Sequence, residues 1–249
     1  MAALSESQIQ IILLDIEGTT TPINFVYLTL FPYAAGKLQA FLREHIGEQE
    51  IDAVLQQLHA QHQSDEGQRL QPPLWTEDSE LARLSSATVY CQWLIARDSK
   101  CTPLKSLQGK IWQQGYATGE LKGQVYSDVP MAFERWRQLK KLICIYSSGS
   151  VLAQQLLFRT TSSGDLTPYI SEFFDTSVGS KTESESYKKI AASLGRTPEE
   201  ILFISDAVNE IRAAESAGMQ AVLCDREGKS SNSRIASGTI DSLGKVFPS

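Results

Sequence analysis

Three apolar runs in this chain end in polar residues whose types suit phosphate chemistry. Ile9-Gln10-Ile11-Ile12-Leu13-Leu14 leads into Asp15-Ile16-Glu17-Gly18-Thr19. Leu142-Ile143-Cys144-Ile145-Tyr146 leads into Ser147-Ser148-Gly149-Ser150, and Ile201-Leu202-Phe203-Ile204 into Ser205-Asp206-Ala207. A carboxylate held where a buried strand runs out into a loop can act as a nucleophile and hold a metal cation at the same time. Alternate side chains of an extended segment share a side, so Asp15 and Glu17 can face one cavity, with Gly18 supplying the tight turn after them. Ser147 and Ser148 bring hydroxyls to a helix start, where free backbone N–H groups attract anions. Lys181, in Gly179-Ser180-Lys181-Thr182-Glu183, adds a cation just before another helical stretch. Taken singly, each has an ordinary alternative. Asp15 and Glu17 suit a solvated turn, Ser147 and Asp206 suit helix caps, and Lys181 suits a surface charge.

These residues are useful together only if the chain gathers them, and its patterning says how. From Asp128 onward, short apolar runs alternate with amphipathic stretches. A helix is expected over Pro130 to Lys141, then the strand at Leu142–Tyr146, a helix from Ser150 to Phe158 and a short strand at Phe173-Phe174. Next come a helix from Glu183 to Leu194, the strand at Ile201–Ile204, a helix from Ala207 to Ala217 and a strand at Ala221–Cys224. Strands separated by helices pair in parallel through right-handed crossovers. Open sheets of this kind bind ligands at the carboxyl ends of their strands.

The stretch between the first strand and Asp128 shows no strong strand and reads as helical. An apolar stripe of Phe25, Leu28, Phe31, Leu38, Phe41 and Leu42 marks a helix over Asn24 to Ile46, which Pro32 kinks or restarts. Ile51 to His62, Glu77 to Arg97 (with Leu81, Leu84, Val89, Trp93 and Leu94) and Leu104 to Gly119 follow. Ser64-Asp65-Glu66-Gly67-Gln68 is expected to be a polar loop. The expected fold class is therefore α/β. A doubly wound parallel-sheet core, residues 1–20 and 125–249, carries an all-helical insertion over 21–124. Ser230-Ser231-Asn232-Ser233 reads as a polar loop.

With Asp at the first strand end, Ser at the second, then Lys, then Asp, the chain resembles the haloacid-dehalogenase-like phosphohydrolases. That resemblance implies roles. Asp15 is the nucleophile, Ser147 binds phosphate, Lys181 neutralises charge, and Asp206 holds Mg²⁺ with help from the main-chain carbonyl of Glu17. Most phosphatases of this superfamily carry Asp where this chain has Glu17. Asp15-Ile16-Glu17-Gly18-Thr19-Thr20-Thr21-Pro22-Ile23 instead resembles the enolase-phosphatases (acireductone synthases) of methionine salvage. Leu30-Phe31-Pro32-Tyr33, Gly109-Lys110-Ile111-Trp112, Gly115-Tyr116, Leu121-Lys122-Gly123, Tyr146 through Val151 and Lys181 through Tyr187 extend the resemblance over most of the chain. It implies enolisation and then dephosphorylation of 2,3-diketo-5-methylthiopentyl 1-phosphate. One Mg²⁺ per subunit is implied, with Asp15, Glu17 and Asp206 as its ligands, Ser147, Ser148 and Lys181 on the substrate, and Glu17 as the acid and base. The helical insertion then takes the place of a cap, with Phe25, Trp112, Tyr116, Lys122 and Tyr126 as candidate cap or hinge contacts.

Bulk properties narrow the remaining choices. The chain has 249 residues, 42% of them hydrophobic, enough for one large domain or a core with an insertion. A net charge of −6 without a basic stripe gives no footprint for nucleic acid. The cluster Arg135, Arg137, Lys140 and Lys141 reads as a solvated helix face. No apolar stretch is long enough for a bilayer, and Met1 to Glu6 lacks the features of a signal peptide. The four cysteines, Cys91, Cys101, Cys144 and Cys224, show no CxxC spacing, and a reducing cytoplasm is the expected setting. His59 and His62 sit one helical turn apart without an evident third metal ligand. The expected partner is a small phosphate ester, handled by a monomer without nucleic acid or membrane.

Overall fold

A computed structural model describes residues 6–99, 101–228 and 238–248. The segment around Ser230–Ser233 and residues 1–5 lie outside the described residues. Along the chain, β1 (Ile11–Leu14) is followed by a single turn, α1 (Ile23–Phe25), and a π-helical segment, Val26–Leu30. Then come α2 (Phe31–Glu44), α3 (Gln49–Gly67), α4 (Glu80–Ala96) and α5 (Thr102–Ala117). The alternating part begins with α6 (Val129–Gln138), β2 (Leu142–Tyr146), α7 (Val151–Arg159), β3 (Ile170–Phe174) and α8 (Ser184–Ser193). It ends with β4 (Ile201–Ser205), α9 (Val208–Ser216), β5 (Gln220–Cys224) and a short β6 (Thr239–Ile240). The chain divides into two compact units, residues 1–25 with 122–249 and residues 26–121.

The first unit is built on one six-stranded sheet in the order β3-β2-β1-β4-β5-β6, with every pairing parallel. β1 and β4 sit at its centre, and all their residues are fully buried. Burial on both faces is why these strands read as continuous apolar runs instead of alternating ones. On one face Ile11, Leu13, Cys144, Tyr146, Phe203 and Leu223 pack with Tyr187, Ile190 and Ala191 of α8 and Ile211 and Ala214 of α9. Each of the large aliphatic and phenylalanine side chains among them stabilises the fold by roughly 1.5–3 kcal/mol on burial.

Sheet residues outside the expected strands are few. β3 starts three residues earlier than its apolar pair Phe173-Phe174 suggested, because an edge strand exposing Ser171 and Glu172 carries a weak hydrophobic signal. The basic cluster is a correction. Arg135 donates to the carbonyls of Leu243 and Val246, both at 3.0 Å, and Lys141 to those of Glu6 and Ile9 at 2.7 and 2.6 Å. Only Arg137 and Lys140 are plainly exposed. Backbone acceptors distant in sequence leave no mark in a helical charge pattern.

The second unit consists of helices α2 to α5 with the π-helical segment, and three expectations change there. Pro32 falls in the first turn of α2, where its missing N–H costs nothing. The π-helical turn before it departs from the 3.6 period, so Leu28 is 71% exposed while Val26 and Leu30 are buried. The expected loop at 64–68 is helical as far as Gly67. Asp65 explains this, because its buried carboxylate accepts from Tyr90 Oη at 2.7 Å and Gln61 Nε2 at 2.8 Å. On α4 the buried stripe is Leu84, Ala87, Cys91 and Leu94, and Leu81 and Val89 are exposed. His59 stacks on Trp75, and the buried His62 ring meets the Pro73 carbonyl at 2.7 Å. Trp112 donates to the Leu30 carbonyl at 2.9 Å and is core, as is Tyr116.

The Tyr90–Asp65 bond gives the helical unit its most exposed test. Tyr90→Phe leaves a buried carboxylate short of one charge-assisted donor, an expected loss of about 1.5–3 kcal/mol. Urea unfolding of the two proteins measures it, and a difference within error would show that the bond does not hold the C-terminal turns of α3.

Candidate active site

The winding of the sheet reverses between β1 and β4, with β2 and β3 on one side and β5 and β6 on the other. A crevice opens at such a switch point, outside the carboxyl ends of the strands. Asp15 follows β1, Asp206 follows β4, Ser147 follows β2, and Lys181 lies between β3 and α8.

Asp15 is buried and fully engaged. Its Oδ1 accepts the Ile16 backbone N–H at 2.8 Å and Lys181 Nζ at 2.5 Å, and its Oδ2 lies 3.1 Å from the Ser205 hydroxyl. Lys181 is no surface charge. It is 8% exposed and also reaches Glu210 Oε2 at 2.8 Å. Its main chain is held by Tyr187 Oη, which donates to the Lys181 carbonyl at 2.7 Å. The Ser147 hydroxyl donates to Glu17 Oε2 at 3.2 Å. Gly18 has φ 74°, and a Cβ there would collide with the Asp206 carboxylate. The Asp206 carboxylate therefore lies directly against the backbone that follows Glu17.

Two capping alternatives fail. The N-cap of α9 is Ala207, without a side-chain cap, and its N–H goes to Ser205 Oγ at 3.1 Å, so Asp206 is free of that duty. Ser150, not Ser147, caps α7, accepting from Ala153 N–H at 3.3 Å. The same turn revises the anion site expected at this helix start. Val151 N–H is directed to Asp175 Oδ2 at 3.4 Å and Gly149 N–H to Ser147 Oγ at 3.2 Å. Protein acceptors take donors that the sequence suggested were free. Ser148 is half-buried beside Ser147. Among the candidate contacts of this unit, Phe25 is buried, Lys122 exposed, and Tyr126 half-buried.

Electrostatics follow from four carboxyl groups around one ammonium. Burial, then the Asp15 charge, push Asp206 up to about 6. The same two causes, against the pull of Lys181, push Glu210 up to about 7. Burial and Asp15 also raise Glu17. Burial alone would pull Lys181 down, but Asp15, Glu210 and Glu17 outweigh it and hold the ammonium above the usual lysine range. The surplus negative charge suits a second cation. Among the described residues no three His, Cys, Asp or Glu side chains converge into a metal cage. The residues that could hold a cation are instead the Asp15 and Asp206 carboxylates with the main-chain carbonyl of Glu17, next to the Gly18 against which Asp206 lies. Oxygen donors with few carboxylates fit Mg²⁺, which keeps much of its water.

Ser205, the last residue of an apolar run, was not assigned to this cluster from the sequence. Glu210, one helical turn past Asp206, suited support of the metal through water, and the structure instead takes its carboxyl to Lys181 Nζ at 2.8 Å and the Ser205 hydroxyl at 2.9 Å. Only packing of β4 against β1 brings both to Asp15 and Lys181.

Residues 9–218 match the family described as hydrolase, haloacid dehalogenase-like hydrolase. The chain belongs to the haloacid dehalogenase-like hydrolases, in their enolase-phosphatase branch. An enolase-phosphatase E1 of Synechococcus elongatus is 48% identical over 217 residues, covering 87% of this chain and 89% of that protein. The enolase-phosphatase E1 of Drosophila melanogaster is 47% identical over 225 residues, covering 90% and 86%. Among solved structures, the UTR4 protein of Saccharomyces cerevisiae is 32% identical with a TM-score of 0.73, covering 94% of this chain and 98% of that one. A haloacid dehalogenase-like phosphatase of Thermococcus onnurineus shares the fold at 20% identity and a TM-score of 0.57, over 94% of both chains.

The raised Asp206 of this hydrolase makes its stability depend on pH. Folded Asp206 keeps its proton to about 6, while the unfolded group loses it near 3.8. Between those values the folded state binds more protons, so stability falls as pH rises. In chelator, thermal melts from about pH 4 to about pH 7 are expected to fall more steeply for the wild type than for Asp206→Asn. Parallel slopes would show that this carboxyl carries no such strain.

Proposed function

We propose that this chain is a Mg²⁺-dependent bifunctional enolase-phosphatase. It converts 2,3-diketo-5-methylthiopentyl 1-phosphate to the acireductone 1,2-dihydroxy-3-keto-5-methylthiopentene and phosphate, in methionine salvage. The observation that carries this reading is the contrast between two acids two residues apart. Asp15 is tied to an ammonium at 2.5 Å, while Glu17 accepts from a serine hydroxyl at 3.2 Å and is raised by burial. Environments that separate two carboxyls in this way divide nucleophile from acid and base.

In this reading Asp15 attacks phosphorus and forms an aspartyl-phosphate as the ester oxygen leaves. Glu17, whose burial favours its protonated form, gives its proton to that oxygen. As a carboxylate it then takes a proton from the water that hydrolyses the acyl phosphate. Lys181, charged throughout, neutralises the nucleophile and the transferring group. Ser147 and Ser148 hold the phosphate. The carboxylates of Asp15 and Asp206 and the Glu17 carbonyl would hold one Mg²⁺, which when bound polarises the substrate oxygen and makes the neighbouring C–H more acidic. The helical insertion, which follows the nucleophile loop in the chain, is assigned the cap's task of excluding water and choosing the substrate. We place the enzyme in the cytoplasm as a monomer, a setting supported by its four free cysteines. No helix of the described residues is long and apolar enough to cross a membrane.

Incubation with the diketo phosphate or its analogue and Mg²⁺, following enol absorbance and released phosphate separately, tests the two reactions. The enol signal is expected first and phosphate second. Equal phosphate release from unrelated sugar phosphates, without an enol signal, would make this a general phosphatase. Asp15→Asn is expected to abolish phosphate release, and wild-type turnover by that variant would remove the nucleophile. Glu17→Gln should slow phosphate release by about 10²–10⁴-fold with folding intact. An unchanged rate in the phosphate assay would move the acid and base role elsewhere.

A further inference from the structure

The loop from Asp15 to Thr21 carries both acids assigned to the chemistry, and most of its hydrogen bonds are internal. The N–H groups of Thr19, Thr20 and Thr21 converge on the Ile16 carbonyl at 3.2, 3.0 and 2.9 Å, and Gly18 N–H reaches the Thr21 carbonyl at 2.8 Å. Two of its carbonyls face outward, and each is taken by a residue far away in sequence. Tyr126 N–H donates to Thr20 O at 2.9 Å. Arg226, just past β5, grips Thr19 O with two donors, Nη2 at 2.8 Å and Nε at 3.2 Å.

Arg226 is itself fixed on every side. Its Nη1 meets both oxygens of Asp128, at 2.9 and 2.8 Å, and its guanidinium lies 4.2 Å from the Tyr126 ring centroid. Asp128 in turn accepts from the Ser242 hydroxyl and the Leu243 N–H, both at 2.7 Å. Burial would raise Asp128, but Arg226 and Ser242 more than offset it and hold the carboxyl below its ordinary value. The side chains of the pair are 9% and 16% exposed, so the contact is little screened by solvent. Arg226 thus reaches from the end of β5 past the end of β4, the strand carrying Asp206, to the loop that follows β1. Its carboxylate partner is Asp128, not an acid of the site.

We propose that Arg226 is a positioning residue for the nucleophile loop. By clamping the Thr19 carbonyl to Asp128 it fixes the peptides of Glu17 and Gly18. That sets where the Glu17 carbonyl points and how closely Asp206 can approach Gly18. This inference rests on the metal and phosphatase roles proposed above. Lysine keeps the charge beside Asp128 but cannot make the two-donor grip or the flat stacking on Tyr126.

The test uses the full chain and two readouts. Calorimetry measures Mg²⁺ binding without turnover, and phosphate release gives kcat and KM at saturating Mg²⁺. Arg226→Met is expected to weaken Mg²⁺ binding by about 10–100-fold and to lower kcat by a similar factor, with KM little changed. Arg226→Lys should fall between it and the wild type. Lys141→Met, which removes a lysine from the Glu6 and Ile9 carbonyls on the same unit, serves as the control for lost stability alone. It should lower the melting temperature and leave Mg²⁺ affinity unchanged. If both Arg226 variants lose melting temperature but bind Mg²⁺ like the wild type, Arg226 is only a brace and the proposal is overturned. Where Arg226→Met does not fold, Arg226→Lys decides by the same criterion. A wild type that binds Mg²⁺ but yields neither enol nor phosphate would sink the enolase-phosphatase reading, and the calorimetric comparison would still judge the clamp.

Discussion

The buried contact of Lys181 with Asp15 and Glu210 sets the electrostatics at the strand ends of this molecule. An ammonium and two carboxylates taken out of water each cost several kcal/mol, and only close pairing with added hydrogen bonds returns that cost. The surroundings supply those bonds, from the Ile16 N–H, the Ser205 hydroxyl and the Tyr187 hydroxyl on the Lys181 carbonyl. Even so the account does not balance. Glu17 and Asp206 bring further negative charge, and burial and repulsion raise both carboxyls. A group of acids left short of one cation is a weak point in stability, and it is where the proposed function assigns Mg²⁺ and a phosphate ester.

The sheet explains why this strained group can exist at all. β1 and β4 are buried on both faces, and their register sets Leu14 beside Ile204, so that Asp15 and Ser205 emerge together. The carboxyl ends at the switch point are where side chains can leave the core without breaking a ladder. Rigid strands hold the acids, and loops anchored from several directions hold the backbone between them. Gly18 is needed because its positive φ and missing Cβ let Asp206 lie against the loop. Arg226, just past β5, and Tyr126, just before α6, hold the outward carbonyls of that loop in the same spirit.

Much of the fold was legible because its signals are local. Buried parallel strands announce themselves as apolar runs, and the residues ending them, Asp15, Ser147 and Asp206, stand out by contrast of type. Errors fell where a local pattern was overridden by packing. The π-helical turn carried Leu28 out of its stripe, and Asp65 kept α3 helical where a polar glycine-containing segment suggested a loop. Arg135 and Lys141 looked like a solvated face but serve backbone carbonyls more than a hundred residues away in the case of the Leu243 and Ile9 contacts.

Fold class, the order of the strand ends, and the acids and lysine at them are properties of the linear chain. The pairing of Glu17 with Asp15, two residues apart, was also visible there, because types and short spacings are properties of the chain. Packing in three dimensions settles who touches whom. It gave Lys181 to Asp15 and Glu210, placed the Ser205 hydroxyl between two carboxylates, took helix-start N–H groups for Asp175 and Ser147, and set Arg226 on Thr19. The physical reason is that charge and hydrogen-bond energies depend on distances between groups brought together from strands far apart in sequence. A single chain read linearly carries no record of those distances.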